Sequence, residues 1–197
     1  TTLVAADEYG AREQWLRRCD LLLSEAAMRG LVSSFETQFD DAMEHPCAAS
    51  ERVNWPASRA SATLSLLSEA LRDPDVLVRS VLRRSPSPNP MQKSTLAEAF
   101  LKYGRPEGAL AWLEGSWEHL ESARRHLHAQ ALAALGRTGE AAVDRQQIFE
   151  ESLAVWDLHA WLDLLPPREQ DSAIERAREL AAARDDPVVV ALLLREP

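Results

Sequence analysis

Cysteine, glycine and lysine are scarce in this chain, and each shortage excludes something. Two cysteines in 197 residues, Cys19 and Cys47, cannot build a disulfide framework, which points to a reduced setting. Seven glycines leave little material for phosphate-cradling loops: there is no G-x-x-x-x-G-K-[ST], no G-x-G-x-x-G and no G-x-S-x-G. Isoleucine, asparagine and tyrosine occur twice each and phenylalanine four times, so residues that favour strands are thin. The net charge of −9 argues against nucleic acid, which needs a basic footprint on its partner. Apolar runs such as Leu21–Leu23 and the longest, Val188–Leu194, fall far short of the ~20 residues a bilayer span needs.

What is abundant is helix former, with 31 alanines and 29 leucines. An all-α fold of about ten helices is expected. Only Lys93 and Lys102 among the 22 basic residues are lysine. Such an arginine bias is the mark of a GC-rich bacterial genome, and the expected location is cytoplasmic. The chain starts at Thr1 rather than Met, so one alternative makes it an accessory or regulatory helical domain of a larger bacterial protein.

Turn and cap residues divide the chain. The stripe Trp15, Leu16, Cys19, Leu22, Leu23, Ala26, Ala27 predicts one helix over 11–29, closed by Gly30. Ser33 and Glu36 have capping-box spacing for a second helix to Glu44. Residues 45–58 read as a loop, and a third helix is predicted over 58–72. Asp73-Pro74 is an N-cap followed by a first-turn proline, which starts a fourth helix to Arg84. The Pro-rich stretch 85–91 separates an N-terminal helical region, 1–84, from a repeat region, 92–197.

The repeat has a 32-residue step. Residues 97–110, AEAFLKYGRPEGAL, return as AQALAALGRTGEAA at 129–142, pairing Gly104-Arg105 with Gly136-Arg137. A third copy is degenerate, with Trp161, Leu164, Arg168 and Ala173 in register. Each copy reads as an antiparallel helix pair. The turn glycine ends the first helix in a left-handed cap, and small residues at Ala97, Ala109, Ala129 and Ala141 allow close approach. Phe100, Leu110, Leu113 and Leu132 fill the seam.

Leu96, Ala97, Phe100, Gly104, Ala109 and Leu113 resemble the tetratricopeptide repeat (TPR) pattern, with Lys93 and Arg125 in place of its early Trp and Arg145 in place of a bulky apolar residue. The segment ALRDPDVLVRSVL (70–82) with FLKYGRPEGALAWLEGSWE (100–118) is similar to an uncharacterised bacterial family of TPR-like proteins carrying a domain of unknown function. The resemblance implies an α-α superhelix that binds a protein or peptide partner.

Catalytic signals are weak. His126 and His128 lie two apart and point to different sides of a helix, and no His spacing suits a metal. No catalytic residue, metal ligand or cofactor site is assigned. A less favoured alternative is a helical hydrolase using His45–Asn54 and nearby carboxylates. Arg105, Arg137, Trp112 and Trp117 are the candidate partner-binding residues, since Trp and Arg are frequent interface anchors. Four or more of the six Trp residues are expected to fill seams between helices.

Overall fold

The computed structural model describes residues 11–45 and 54–183. These residues form ten α-helices, and no strand occurs among them. The chain divides into two compact units, Thr1–Gln92 and Lys93–Pro197.

Unit 1 contains α1 (Ala11–Arg17), α2 (Glu25–Glu44), α3 (Trp55–Leu71) and α4 (Pro74–Arg84), with a 3-10 turn at Cys19–Leu21. The single helix predicted over 11–29 is broken. Ser24 accepts the Ala27 N–H and starts α2 there, so Gly30 lies inside a helix and Leu21 and Leu22 are exposed. The Ser33–Glu36 spacing is not a cap. Ser33 donates to the Arg29 carbonyl, while Glu36 receives Arg79 at 2.9 Å and Arg83 at 3.0 Å from α4. Burial pushes the Glu36 carboxyl upward, but the Arg79 hydrogen bond and the Arg83 charge outweigh it and hold it below the ordinary range.

Helix α3 starts at Trp55, earlier than predicted, because Asn54 caps it and Pro56 is tolerated in the first turn. Asn54 Nδ2 also donates to the Ala42 carbonyl at 2.7 Å, and Arg29 reaches Asp73 at 3.1 Å. These two ties join opposite ends of α2 and α3, which therefore run antiparallel. Leu16, Cys19, Met28, Val32, Leu64, Leu66, Leu67 and Val76 form the main core, and Phe39, Ala57 and Ala60 a second cluster toward the α2 C-terminus. Cys19 is a core residue whose thiol burial pushes upward. Cys47 lies outside the described residues.

Helix α5 (Pro90–Lys102) starts three residues before the division and carries into unit 2. Asn89 and Gln92 cap it reciprocally, each side chain accepting the other's backbone N–H at 2.9 Å. Unit 2 continues with α6 (Pro106–Trp112), α7 (Glu121–Ala134), α8 (Thr138–Ser152), α9 (Val155–Leu162) and α10 (Pro167–Ala183). Ala97, Ala109, Ala129 and Ala141 are buried, as are Phe100, Leu113 and Leu132.

The first two repeat turns are the same object. Gly104 and Gly136 have φ of +69° and +73°, and the next N–H closes back onto the helix, Arg105 to the Phe100 carbonyl and Arg137 to Leu132, both at 2.9 Å. This left-handed cap explains the glycine. The third turn solves the same problem differently: Gln170 Nε2 donates to the Leu162 and Leu165 carbonyls at 3.1 and 3.2 Å. Trp161 stands where the earlier copies have alanine and stacks on Phe149, centroids 6.0 Å apart.

A contrast among glycines tests this packing. A Cβ on Gly108 would sit 2.3 Å from the Phe100 ring, whereas one on Gly139 meets nothing. Gly139→Ala is expected to stabilise by about 0.5–1 kcal/mol through helix propensity. Gly108→Ala should instead destabilise by roughly 1–2 kcal/mol, because the overpacking outweighs that gain. Urea midpoints that rise for both variants would show that α5 and α6 do not meet here.

Candidate functional site

In unit 1 the ends of α1, α2 and α3 leave an open groove of about 1030 Å³. Arg12 comes from α1, Phe35, Gln38, Asp41 and Ala42 from α2, and Trp55, Pro56, Arg59 and Ala60 from α3, with His45 just past α2. The placement follows from local structure. Phe35 and Ala42 pack onto the Phe39, Ala57 and Ala60 cluster, which makes the floor apolar. Trp55 occupies the first helical position after the Asn54 cap and stands 67% exposed.

The guanidinium of Arg12 is anchored. Its Nη2 donates to Thr63 Oγ1 at 2.9 Å, and Thr63, itself buried, donates to the Arg59 carbonyl at 2.9 Å. One polar relay thus joins α1 to α3 beside the groove. His45 Nδ1 lies 3.2 Å from the Asp41 carbonyl oxygen, so in the Nδ1–H tautomer the ring bonds the end of its own helix. The lining includes the aromatic rings of Phe35 and Trp55 and the guanidinium groups of Arg12 and Arg59, and Trp and Arg are frequent interface anchors. Most of the segment 45–54 invoked for a hydrolase, residues 46–53, lies outside the described residues.

The candidates predicted from the repeat fall elsewhere. Arg137 is committed to Glu140, with its Nε and Nη2 each 2.7 Å from a carboxylate oxygen. Arg105 is exposed and lies over the Phe100 ring at 4.9 Å. At the same turn position Arg137 holds a carboxylate and Arg105 covers an aromatic ring. Trp112 is half-buried. Trp117 must be corrected: it is only 4% exposed, and its ring has no surface to present to a partner. The count of seam-filling Trp also needs correction, since Trp15, Trp55 and Trp156 are exposed, the last at 76%.

Polar groups in unit 2 meet between α7, α8 and α9. His126 accepts from Arg145 Nη1 at 2.8 Å and His128 faces Asp144 at 2.6 Å, so both reach α8. Burial, then the Arg145 charge, pushes His126 below its ordinary value, with Asp157 opposing. Asp157 itself is buried and accepts the Ser152 hydroxyl at 2.6 Å. Among the described residues no group of three or more His, Cys, Asp or Glu is placed to hold a metal ion, and no helix is long and apolar enough to cross a membrane.

Glu121 bridges α6 and α7. It accepts from Arg124 and from the Trp117 N–H, while Arg124 also donates to the Leu113 carbonyl. The Arg124 hydrogen bond, against an opposing burial effect, brings the Glu121 carboxyl down to about 2. A depressed acid contributes stability that is complete above its unfolded value near 4.5 and is lost as pH falls toward 2. Glu121→Gln is expected to cost about 1–3 kcal/mol at neutral pH, after discounting for solvent screening, and to flatten the acid limb between about pH 5 and 2. Urea titrations across that range check it. Equal midpoints at pH 7 would remove Glu121 from the stability of unit 2.

Residues 2–195 match the model of a family of unknown function (DUF6880). No curated protein and no solved structure matches the chain.

Proposed function

We propose, from the premise that the chain belongs to this family of unknown function and takes no activity from kinship, that it is a non-enzymatic binding module, a scaffold or adaptor that holds a protein or peptide segment. One observation carries the reading: the open groove of unit 1 is lined by Trp55, Phe35, Arg12 and Arg59. Large aromatic and guanidinium side chains supply most of the binding energy in protein interfaces. At about 1030 Å³ the groove stands at the upper end of the ~300–1,000 Å³ typical of small-molecule sites, and its openness suits an extended chain.

Helices α5–α10 are read within the same proposal as a TPR-like stack. The repeated cap at Gly104 and Gly136 and the buried alanines at one repeat position, Ala109, Ala141 and Ala173, support that reading. A bacterial source and a cytoplasmic location complete it. Selection of a displayed random-peptide library on the full chain tests the function. Enriched peptides should lose binding to Trp55→Ala while that variant keeps its helical circular dichroism. Absence of enrichment, or enrichment indifferent to Trp55, would count against the groove as the site.

A further inference from the structure

We infer that the seam between α7 and α8 is an acid-sensitive joint: His126 holds Arg145 across it only as a neutral ring, and taking up a proton turns that hydrogen bond into a contact between two cations that loosens the helix pair. The inference concerns unit 2 alone and goes beyond the binding-module reading, on which it does not depend.

Donor chemistry makes the argument. A guanidinium has five N–H donors and no acceptor. The 2.8 Å approach of Arg145 Nη1 to His126 Nδ1 therefore requires a lone pair on that nitrogen, and an imidazolium has none. The ring is half-buried, so repulsion between the two cations would be stronger than in open water.

Charge reaches this spot from several elements. Helix α8 sets Arg145 against His126 and Asp144 against His128. Helix α9 brings the buried Asp157, whose charge favours the His126 cation. On α7 itself Arg124 is drawn toward the charge of Asp144, and Arg125 pairs with Glu121 and Glu151. Helix α6 presents the Leu113 carbonyl to Arg124, and the 3-10 turn Glu118–Leu120 carries Glu118 and His119 exposed. Helix α10 meets α8 through Arg176 and Glu150. Burial and then the Arg145 charge outweigh Asp157, so His126 titrates below its ordinary 6.5. As pH falls the unfolded chain takes the proton first: this contribution to stability is complete above 6.5 and is lost through the window below it. His128 differs, because a carboxylate can bond its ring in either charge state.

A histidine NMR titration of the full chain, with signals assigned by through-bond correlation, tests the joint. In the wild-type protein His126 should titrate below 6.5, and Arg145→Gln should move its midpoint upward. Hydrogen exchange reads the loosening itself. Between about pH 7.5 and 5.5, protection of the amides in 121–152, corrected for intrinsic exchange, should fall by about 2-fold or more. That range lies above the acid limb of Glu121. His126→Gln keeps a neutral acceptor for Arg145 and should lose less protection over the same interval. A wild-type midpoint at or above 6.5, which needs no variant to observe, overturns the inference, as does a midpoint indifferent to Arg145→Gln. Equal acid losses in the wild-type and His126→Gln proteins would overturn it too, since the seam would then not answer to this ring.

Discussion

Phe149→Ala is expected to lower the stability of unit 2 by about 3–5 kcal/mol, the usual cost of deleting a fully buried phenylalanine. Phe149 is completely inaccessible and sits among Ala142, Leu153, Leu158, Trp161 and the alanines of α10. Those alanines, Ala173, Ala177 and Ala181, are too short to collapse into the space left behind, so the cavity would persist. The stack on Trp161 adds about 0.5–1.5 kcal/mol to the loss. Phe149→Leu keeps most of the volume and should cost less than about 1.5 kcal/mol, with the stacking loss included near the upper end. Urea unfolding with an unchanged slope would read both values. A loss below about 1.5 kcal/mol for the alanine variant would mean that α8 and α9 are not packed through this pair.

Phe39→Ala is the corresponding test of unit 1, again with an expected loss of about 3–5 kcal/mol. Its ring is buried with Ala57 and Ala60, against Phe35 and Ala42. Since Phe35, Ala42 and Ala60 also line the groove, removing Phe39 takes away its support from below. Peptide binding should therefore fall together with stability. Trp55→Ala separates the two effects, because its exposed ring should change stability by no more than about 0.5 kcal/mol while binding is lost. A Phe39→Ala protein that unfolds at the original urea midpoint would refute the assigned core.

Legibility followed the range of the interactions involved. Asp73-Pro74 and the glycine turns at 104 and 136 were readable, since each is settled by residues within about one helical turn. Two further left-handed caps, at Arg72 and Leu153, gave no such sign, because neither residue favours that backbone region. The N-terminal error has the same origin. Ser33 carries the capping-box Glu36 while Ser24 has Ala27 at that position, but Glu36 is drawn away by Arg79 and Arg83, more than forty positions along the chain.

The groove shows the limit most clearly. Arg12, Phe35, His45, Trp55 and Arg59 have no common motif or period, and signals in the repeat drew attention to Arg105, Arg137, Trp112 and Trp117 instead. Only the antiparallel meeting of α2 and α3, closed by the Asn54–Ala42 bond, with α1 tied to α3 through Arg12 and Thr63, brings the first group to one opening. A trace was visible in the six tryptophans, but which of them face solvent depends on neighbours distant in sequence.

Composition, caps and the 32-residue step by themselves determined an all-helical chain, the helix ends around Asp73-Pro74, Gly104 and Gly136, and the buried alanine positions. These are local or periodic properties, and backbone hydrogen bonding over one turn is enough to express them. Tertiary structure alone decided which tryptophans are covered, what Glu36 binds, and where two arginines and an aromatic ring share a surface. Each of those outcomes depends on desolvation and charge pairing between segments that only packing brings together.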